Sequence, residues 1–86
     1  MNFEEKEFKE KLEEVHSFPG GYTFKFIVKS EDQKKVEELV DGAEIKIKPS
    51  SGNKYVSVTL AAHVKSSDDV IAVYRKAKMI EGLIAL

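Results

Sequence analysis

The feature that most constrains this chain is an alternation of apolar and polar residues between Gly21 and Lys29. Large apolar side chains occupy every second position, at Tyr22, Phe24, Phe26 and Val28. Because successive side chains of a β-strand point to opposite faces, the alternation predicts a strand with one buried and one outward face. The outward side chains are Thr23, Lys25, Ile27 and Lys29. We expect the rest of the chain to pack against the aromatic face of this strand.

Length and composition limit the classes of function. The 86 residues form a single domain, 1–86, with a small core, because short chains bury a smaller share of their surface. Hydrophobic residues make up 42% of the chain, too many for an intrinsically disordered one. Fourteen basic and fifteen acidic side chains leave a net charge of -1, so no overall field attracts nucleic acid or anionic lipid. We expect neither nucleic acid nor a membrane as the partner.

Cysteine is absent, which removes disulfides, thiolate nucleophiles and cysteine-based zinc sites. The first residues lack the basic and apolar regions of a secretory signal. No apolar run approaches the roughly 20 residues that cross a bilayer as a helix. The expected location is therefore the cytoplasm.

The N-terminal arm, residues 1–15, is predicted to be a charged helix from Asn2 to Val15, with Asn2 as its N-cap. Its apolar side is a narrow stripe of Phe8, Leu12 and Val15, which is too thin to stabilise a helix alone. We expect a solvated appendage pinned to the domain, and a partner-binding helix is the alternative.

Capping residues and helical periodicity predict two further helices. Ser30, as an N-cap with Gln33 three residues later, opens a short helix that ends at Asp41-Gly42. Its inward side chains are Val36, Leu39 and Val40. The segment Ser66 to Asp69 opens the last helix, whose buried face consists of Val70, Val73, Tyr74 and Ala77.

Three more strands follow from period-two patterns. Ala43 to Lys48 alternates as a half-buried strand, and Tyr55 to Val64 is the longest strand. The turn residues between them indicate a hairpin. Ile80 to Leu86 is predicted to be the last strand, interrupted by Gly82.

The element order is an extra helix followed by β-α-β-β-α-β, which predicts a ferredoxin-like α+β sandwich. Right-handed crossovers give a four-stranded antiparallel sheet of order 4-1-3-2, with two helices on one face. Lys46, Lys48 and Pro49 discourage strand addition at the second strand. The last strand is apolar on both faces, so we expect the N-terminal helix, a second copy or another protein to cover it.

Two segments, Phe18-Pro-Gly-Gly-Tyr22 and Lys48-Pro-Ser-Ser-Gly-Asn-Lys-Tyr-Val-Ser-Val58, resemble the YbeD-like family of small bacterial proteins of unknown function. The likeness runs from about Leu12 to Leu86. It implies a ferredoxin-like fold similar to the ACT regulatory domains, without catalytic activity, and a link to lipoate metabolism. The chain departs from ACT domains at Lys29 to Asp32, where their glycine-containing ligand loop would lie.

The hairpin turn is one candidate site, because its side chains combine hydroxyls, an amide and two ammonium groups. These residues are Lys48, Ser50, Ser51, Gly52, Asn53 and Lys54. They could donate hydrogen bonds to a small anion such as phosphate or a carboxylate. The same residue types are also what a turn needs for its own bend, and this second reading stays open.

No arrangement of residues indicates catalysis. His16 and His63 have no spacing typical of metal ligands, and neither Ser50 nor Ser51 has an evident base. We therefore expect no enzyme activity, no cofactor and no bound metal.

The outward face of the sheet is the second candidate site. Its contact set is predicted to be Lys25, Ile27, Lys46, Lys48, Tyr55, Ser57 and His63. Tyr55 is its one aromatic residue, whereas RNA-binding sheets stack bases on several rings. We expect an interaction or regulatory module that binds an unidentified protein through this face. The alternative is an ACT-like homodimer that binds a small ligand where the subunits meet.

Overall fold

The computed structural model describes residues 5–86, and every structural statement below concerns that part of the chain. Its elements are α1 (Glu5–Val15), β1 (Gly20–Lys29), a 3-10 turn (Ser30–Asp32), α2 (Gln33–Glu37), β2 (Glu44–Pro49), β3 (Tyr55–Val64), α3 (Ser67–Ala77) and β4 (Ile84–Ala85). The N-cap predicted at Asn2 lies outside the described residues.

The four strands form one antiparallel sheet of order β2-β3-β1-β4, which confirms the predicted ferredoxin-like fold with an extra N-terminal helix. The pairing of β1 with β3 is unbroken from Gly20 opposite Val64 to Lys29 opposite Tyr55. Along this whole length, alternate side chains of both inner strands therefore point to opposite faces of the sheet.

The core lies between the sheet and the helices, on the face that the alternation in β1 predicts. Phe24, Phe26 and Val28 of β1 are fully buried, as are Val58 and Leu60 of β3. The ring of Tyr74, on α3, lies 5.6 Å from the ring of Phe24 and 5.7 Å from that of Phe26, centroid to centroid. Burial of large aromatic side chains is the main stabilising contribution in a core this small.

The N-terminal helix α1 packs against α3. Leu12 enters the core, and the ring of Phe8 meets that of Tyr74 edge to face at 5.3 Å. Val15, the third member of the predicted apolar stripe, is instead 76% exposed. The helix ends at this residue.

Polar contacts complete the junction between α1 and α3. Arg75 forms a two-pronged ion pair with Glu5, and its Nε lies 2.8 Å from the Glu5 carboxylate. The Ser67 hydroxyl donates a hydrogen bond of 2.7 Å to Glu13. Because α1 covers this side of α3, Ser67 and Ile71 are buried, although helical periodicity did not assign either of them to the core.

The prediction that Ser30 is the N-cap of the second helix is wrong, since the residues that precede the 3-10 turn and α2 are Lys29 and Asp32. The Ser30 hydroxyl donates to the backbone carbonyl of Asn53 in the hairpin turn, and the chain enters a 3-10 turn instead. The helix α2 that follows has only five residues, and Gln33 donates a hydrogen bond of 2.9 Å to Glu37 within it.

A second correction concerns β2, which was expected to be half buried. Ile45 and Ile47 face the helix side of the sheet but are 38% and 37% exposed. The cause is the shortness of α2, which packs over β1 and β3 and leaves the side of the sheet at β2 with little cover.

The last strand is shorter than predicted. The chain turns at Gly82, where φ is +77°, and the Leu83 amide donates to the Ile80 carbonyl at 3.3 Å. Only Ile84 and Ala85 then pair with β1. The expected cover over this strand is also incomplete, since Ile84 is 55% and Leu86 63% exposed.

The entry to β1 gives a first prediction. A Cβ atom added at Gly20 would lie 2.6 Å from the Ser17 carbonyl oxygen, so the backbone would have to shift, whereas one added at Gly21 meets nothing within 4 Å. We expect Gly20→Ala to lower the free energy of unfolding by about 1–3 kcal/mol. The control Gly21→Ala should change it by less than about 0.5 kcal/mol. Equal midpoints in urea titrations of the two variants would contradict this.

Tyr74 gives a second prediction. Burial, together with the hydroxyl of Tyr22 at 3.3 Å, raises the pKa of Tyr74 above its ordinary value of 10. As the pH rises, the unfolded chain therefore releases this proton before the folded chain does. The contribution of the Tyr74 hydroxyl to the free energy of unfolding is complete below about pH 10 and is lost as the pH rises above it. We expect Tyr74→Phe to flatten the alkaline decline in the free energy of unfolding, measured in urea between about pH 9 and pH 11. An equal flattening in the control Tyr55→Phe, a residue on the other face, would contradict the assignment.

Candidate interaction surface on the open face of the sheet

Within residues 5–86, the face of the sheet opposite the helices carries no other layer, and we call it the open face. The strand register arranges its side chains in rows that cross the sheet from β2 to β4. One row is Lys48, Ser57, Ile27 and Ile84, and the next is Lys46, Thr59 and Lys25. The Leu86 amide donates to the Lys25 carbonyl at 2.9 Å, which places Leu86 at the end of the second row.

The open face is cationic although the chain as a whole is not. Strands β1 to β3 carry four lysines and a single carboxylate, Glu44, and all five side chains are exposed on this face. The lysines are Lys25, Lys29, Lys46 and Lys48. The helix α1, on the other side of the sheet, carries five glutamates and three lysines. The fold thus separates charges that nearly cancel over the whole sequence.

Apolar side chains gather at the β4 side of the open face. Ile84 lies directly opposite Ile27, and both Ile84 and Leu86 are more than half exposed. Between these residues and the lysines of β2 lie the short, half-buried side chains of Ser57, Thr59 and Ala61. An exposed apolar patch with a charged border is typical of a protein-binding surface.

All seven side chains of the predicted contact set lie on this face, but they do not form one cluster. Lys25, Ile27, Lys46, Lys48 and Ser57 occupy two adjacent rows. Tyr55 lies one row further toward the hairpin turn, opposite Lys29, and the Lys54 ammonium lies 5.9 Å from the centre of its ring. His63 is at the far end of β3, opposite Gly21.

The predicted contact set omitted Ile84 and Leu86, which are more exposed than any other large apolar side chain described on the open face. Both lie in the apolar run from Leu83 to Leu86, which was visible in the sequence. It could not be assigned to a face, because the predicted strand began at Ile80 and its register against β1 was unknown.

The hairpin turn uses many of its polar groups for its own structure. The Ser50 amide donates to the Tyr55 carbonyl at 2.8 Å, and the Ser50 hydroxyl accepts from the Tyr55 amide at 3.1 Å. Gly52 and Asn53 both have positive φ, at 83° and 57°, as glycine and asparagine tolerate best. Ser51, Lys48 and Lys54 are exposed around this turn. These contacts explain why the turn contains serine, glycine and asparagine. Anion binding by the turn stays a prediction.

A shallow depression of about 350 Å³ lies between α1 and α3. It is lined by Glu5, Lys6, Lys9, Asp68, Ile71 and Arg75. Most of its charged groups pair across it, since Glu5 binds Arg75 and the Lys9 ammonium lies 3.2 Å from the Asp68 carboxylate. We therefore assign the depression to the junction of the helices rather than to a ligand.

The fold and its uncovered face define a small ferredoxin-like domain. The chain belongs to the family described as "Protein of unknown function (DUF493)", whose model matches residues 13–86. This agrees with the YbeD-like resemblance. The match covers the whole sheet, α2 and α3, and it begins within α1. Neither the comparison with curated proteins nor the comparison with solved structures gave a match. None of the helices in the described part of the chain has the length and apolar character needed to span a membrane.

Proposed function

We propose that this domain is a non-enzymatic interaction module that binds an acidic surface of another protein through its open face. The observation that carries the proposal is the combination, on one uncovered face, of four exposed lysines with the apolar side chains of Ile27, Ile84 and Leu86. Apolar contacts supply affinity to such an interface, and charges supply partner choice and a faster association.

The distribution of reactive side chains supports binding rather than catalysis. A nucleophile must lie within hydrogen-bond reach of its base, and the base needs a group that orients it. On the open face, Ser57 and His63 occupy the same strand six residues apart. At about 3.4 Å per strand residue, roughly 20 Å separates their backbones, so they cannot act as a pair.

Charge supports a different protein, rather than a second copy, as the partner of this face. A two-fold dimer would press the same face of each chain against the other. Such a dimer would bring two sets of four lysines together, and like charges across an interface are unfavourable. With an acidic partner, the electrostatic interaction between these lysines and the opposing surface becomes favourable.

The ACT-like alternative has weaker support. It requires a ligand at the junction of β1 with the following helix. Here the Ser30 amide donates to the Lys54 carbonyl at 3.0 Å, and the Ser30 hydroxyl donates to Asn53. Donors that a ligand would need are therefore engaged within the chain. The family resemblance makes the proteins of cytoplasmic lipoate metabolism the first partners to test, and control of such a partner would make the module regulatory.

Charge reversal with a matched control tests the proposed function. The double variant Lys25→Glu/Lys46→Glu places two carboxylates in one row of the open face, whereas Lys34→Glu/Lys76→Glu makes the same change in charge on exposed residues of α2 and α3. We expect immobilised wild-type domain and the control to retain the same protein from a lysate of the native cell. Retention by the open-face variant should fall at least about tenfold, the equivalent of 1.4 kcal/mol.

Circular dichroism and urea titration would verify that both variants are folded. Equal retention by the two variants, or an equal loss by both, would contradict binding through the open face.

A further inference from the structure

The hydrogen bonding of the sheet restricts what can lie on the open face. Strand β3 pairs with β2 on one side and with β1 on the other, so its main-chain groups are engaged in the sheet. An extended segment laid over β3 would find no main-chain partner, and its own amides and carbonyls would lose water without replacement. An α-helix satisfies its own main-chain groups and packs readily on a sheet.

The width of the surface also fits a helix. Neighbouring strands lie about 4.8 Å apart, so the backbones of β2 and β1 are about 10 Å apart across β3. That spacing matches the diameter of a helix with its side chains, about 10–12 Å. Along β3 the side chains of Ser57, Thr59 and Ala61 are short, whereas longer side chains stand on both sides, at Lys46 and Lys25.

The two sides of this surface differ in chemistry. The β2 side presents Lys46 and Lys48. On the other side, β1 presents Ile27 between Lys25 and Lys29, and the exposed apolar side chains of Ile84 and Leu86 lie next to Ile27 and Lys25. The two lysines of β2 are two residues apart on one strand, so their backbone positions are about 6.7 Å apart. Residues four apart on a helix are separated by about 6 Å along its axis. Two acidic residues with i, i+4 spacing would therefore each meet one lysine.

We infer that the partner presents an amphipathic α-helix that lies along β3, with acidic residues at i, i+4 spacing toward Lys46 and Lys48 and apolar residues toward Ile27 and Ile84. The inference rests on the proposed function and adds the secondary structure, the orientation and the charge pattern of the partner. A disordered acidic segment and an apolar surface without charge are the competing occupants, and the experiment separates them.

The test uses synthetic peptides of about four helical turns and the domain labelled with ¹⁵N. The first peptide carries glutamates at i, i+4 spacing along one side and leucines along the adjacent side, and a hydrocarbon staple holds it helical. The second keeps the glutamates and leucines of the first but has a proline at its centre and no staple. The third is the stapled peptide with each glutamate replaced by lysine. Titrations follow the amide shifts of the domain.

We expect the stapled acidic peptide to shift the amides of Ser57, Thr59 and Ala61. The proline peptide and the lysine peptide should each bind at least about tenfold more weakly. The domain variant Lys46→Glu/Lys48→Glu should weaken binding of the stapled acidic peptide by at least about tenfold, while Lys34→Glu/Lys76→Glu should leave it within about twofold of wild type.

The outcomes separate the inference from the proposed function. Equal binding of the proline peptide would overturn the helical partner and leave an acidic partner for the open face intact. Equal binding of the lysine peptide would overturn the charge pattern and the acidic partner together. Shifts confined to residues of the helix layer, or no shift with the stapled acidic peptide, would overturn the inference, and the lysate experiment would then decide the proposed function separately.

Discussion

The structure depends on the one-sided packing of β1 against α3. Phe24 and Phe26 lie on the same face of β1, both with no exposed surface, and the ring of Tyr74 contacts them from α3. Since β1 pairs along its whole length with β3, the direction of these two rings determines which way every side chain of the inner strands points. Burial of one face thus leaves Lys25 and Ile27 on the other, where they are available to a partner.

Sequence reasoning succeeded where a pattern is local and repeated. The alternation around Phe24 predicted both the central strand and its buried face. The last helix was equally predictable, because Ser66 is a capping residue next to acidic ones. In the structure the Ser66 hydroxyl accepts a hydrogen bond of 3.4 Å from the Asp69 amide. The element order then led to the correct sheet topology. The lysines of the open face followed from the same alternation, so part of the candidate surface was also predictable.

Several of the failures involve contacts between residues distant in sequence. Ser30 was expected to cap its own helix, but its hydroxyl binds Asn53 in a turn that only the folded sheet brings near. The position of α1 depends on Arg75, which meets Glu5 seventy residues away. The exposed patch at Ile84 depends on the register of a two-residue strand against β1, which the predicted interruption at Gly82 could not provide.

Binding through the open face requires that the helices cover one face of the sheet and leave the other accessible to solvent. Addition of a soluble gadolinium chelate to the methyl-labelled free domain tests it most directly, because the chelate accelerates the relaxation of side chains that it can approach. We expect strong acceleration at the methyl groups of Ile27, Ile84 and Leu86 and little at those of Val58 and Leu60. Protection of Ile27 and Ile84 equal to that of Val58 would contradict it.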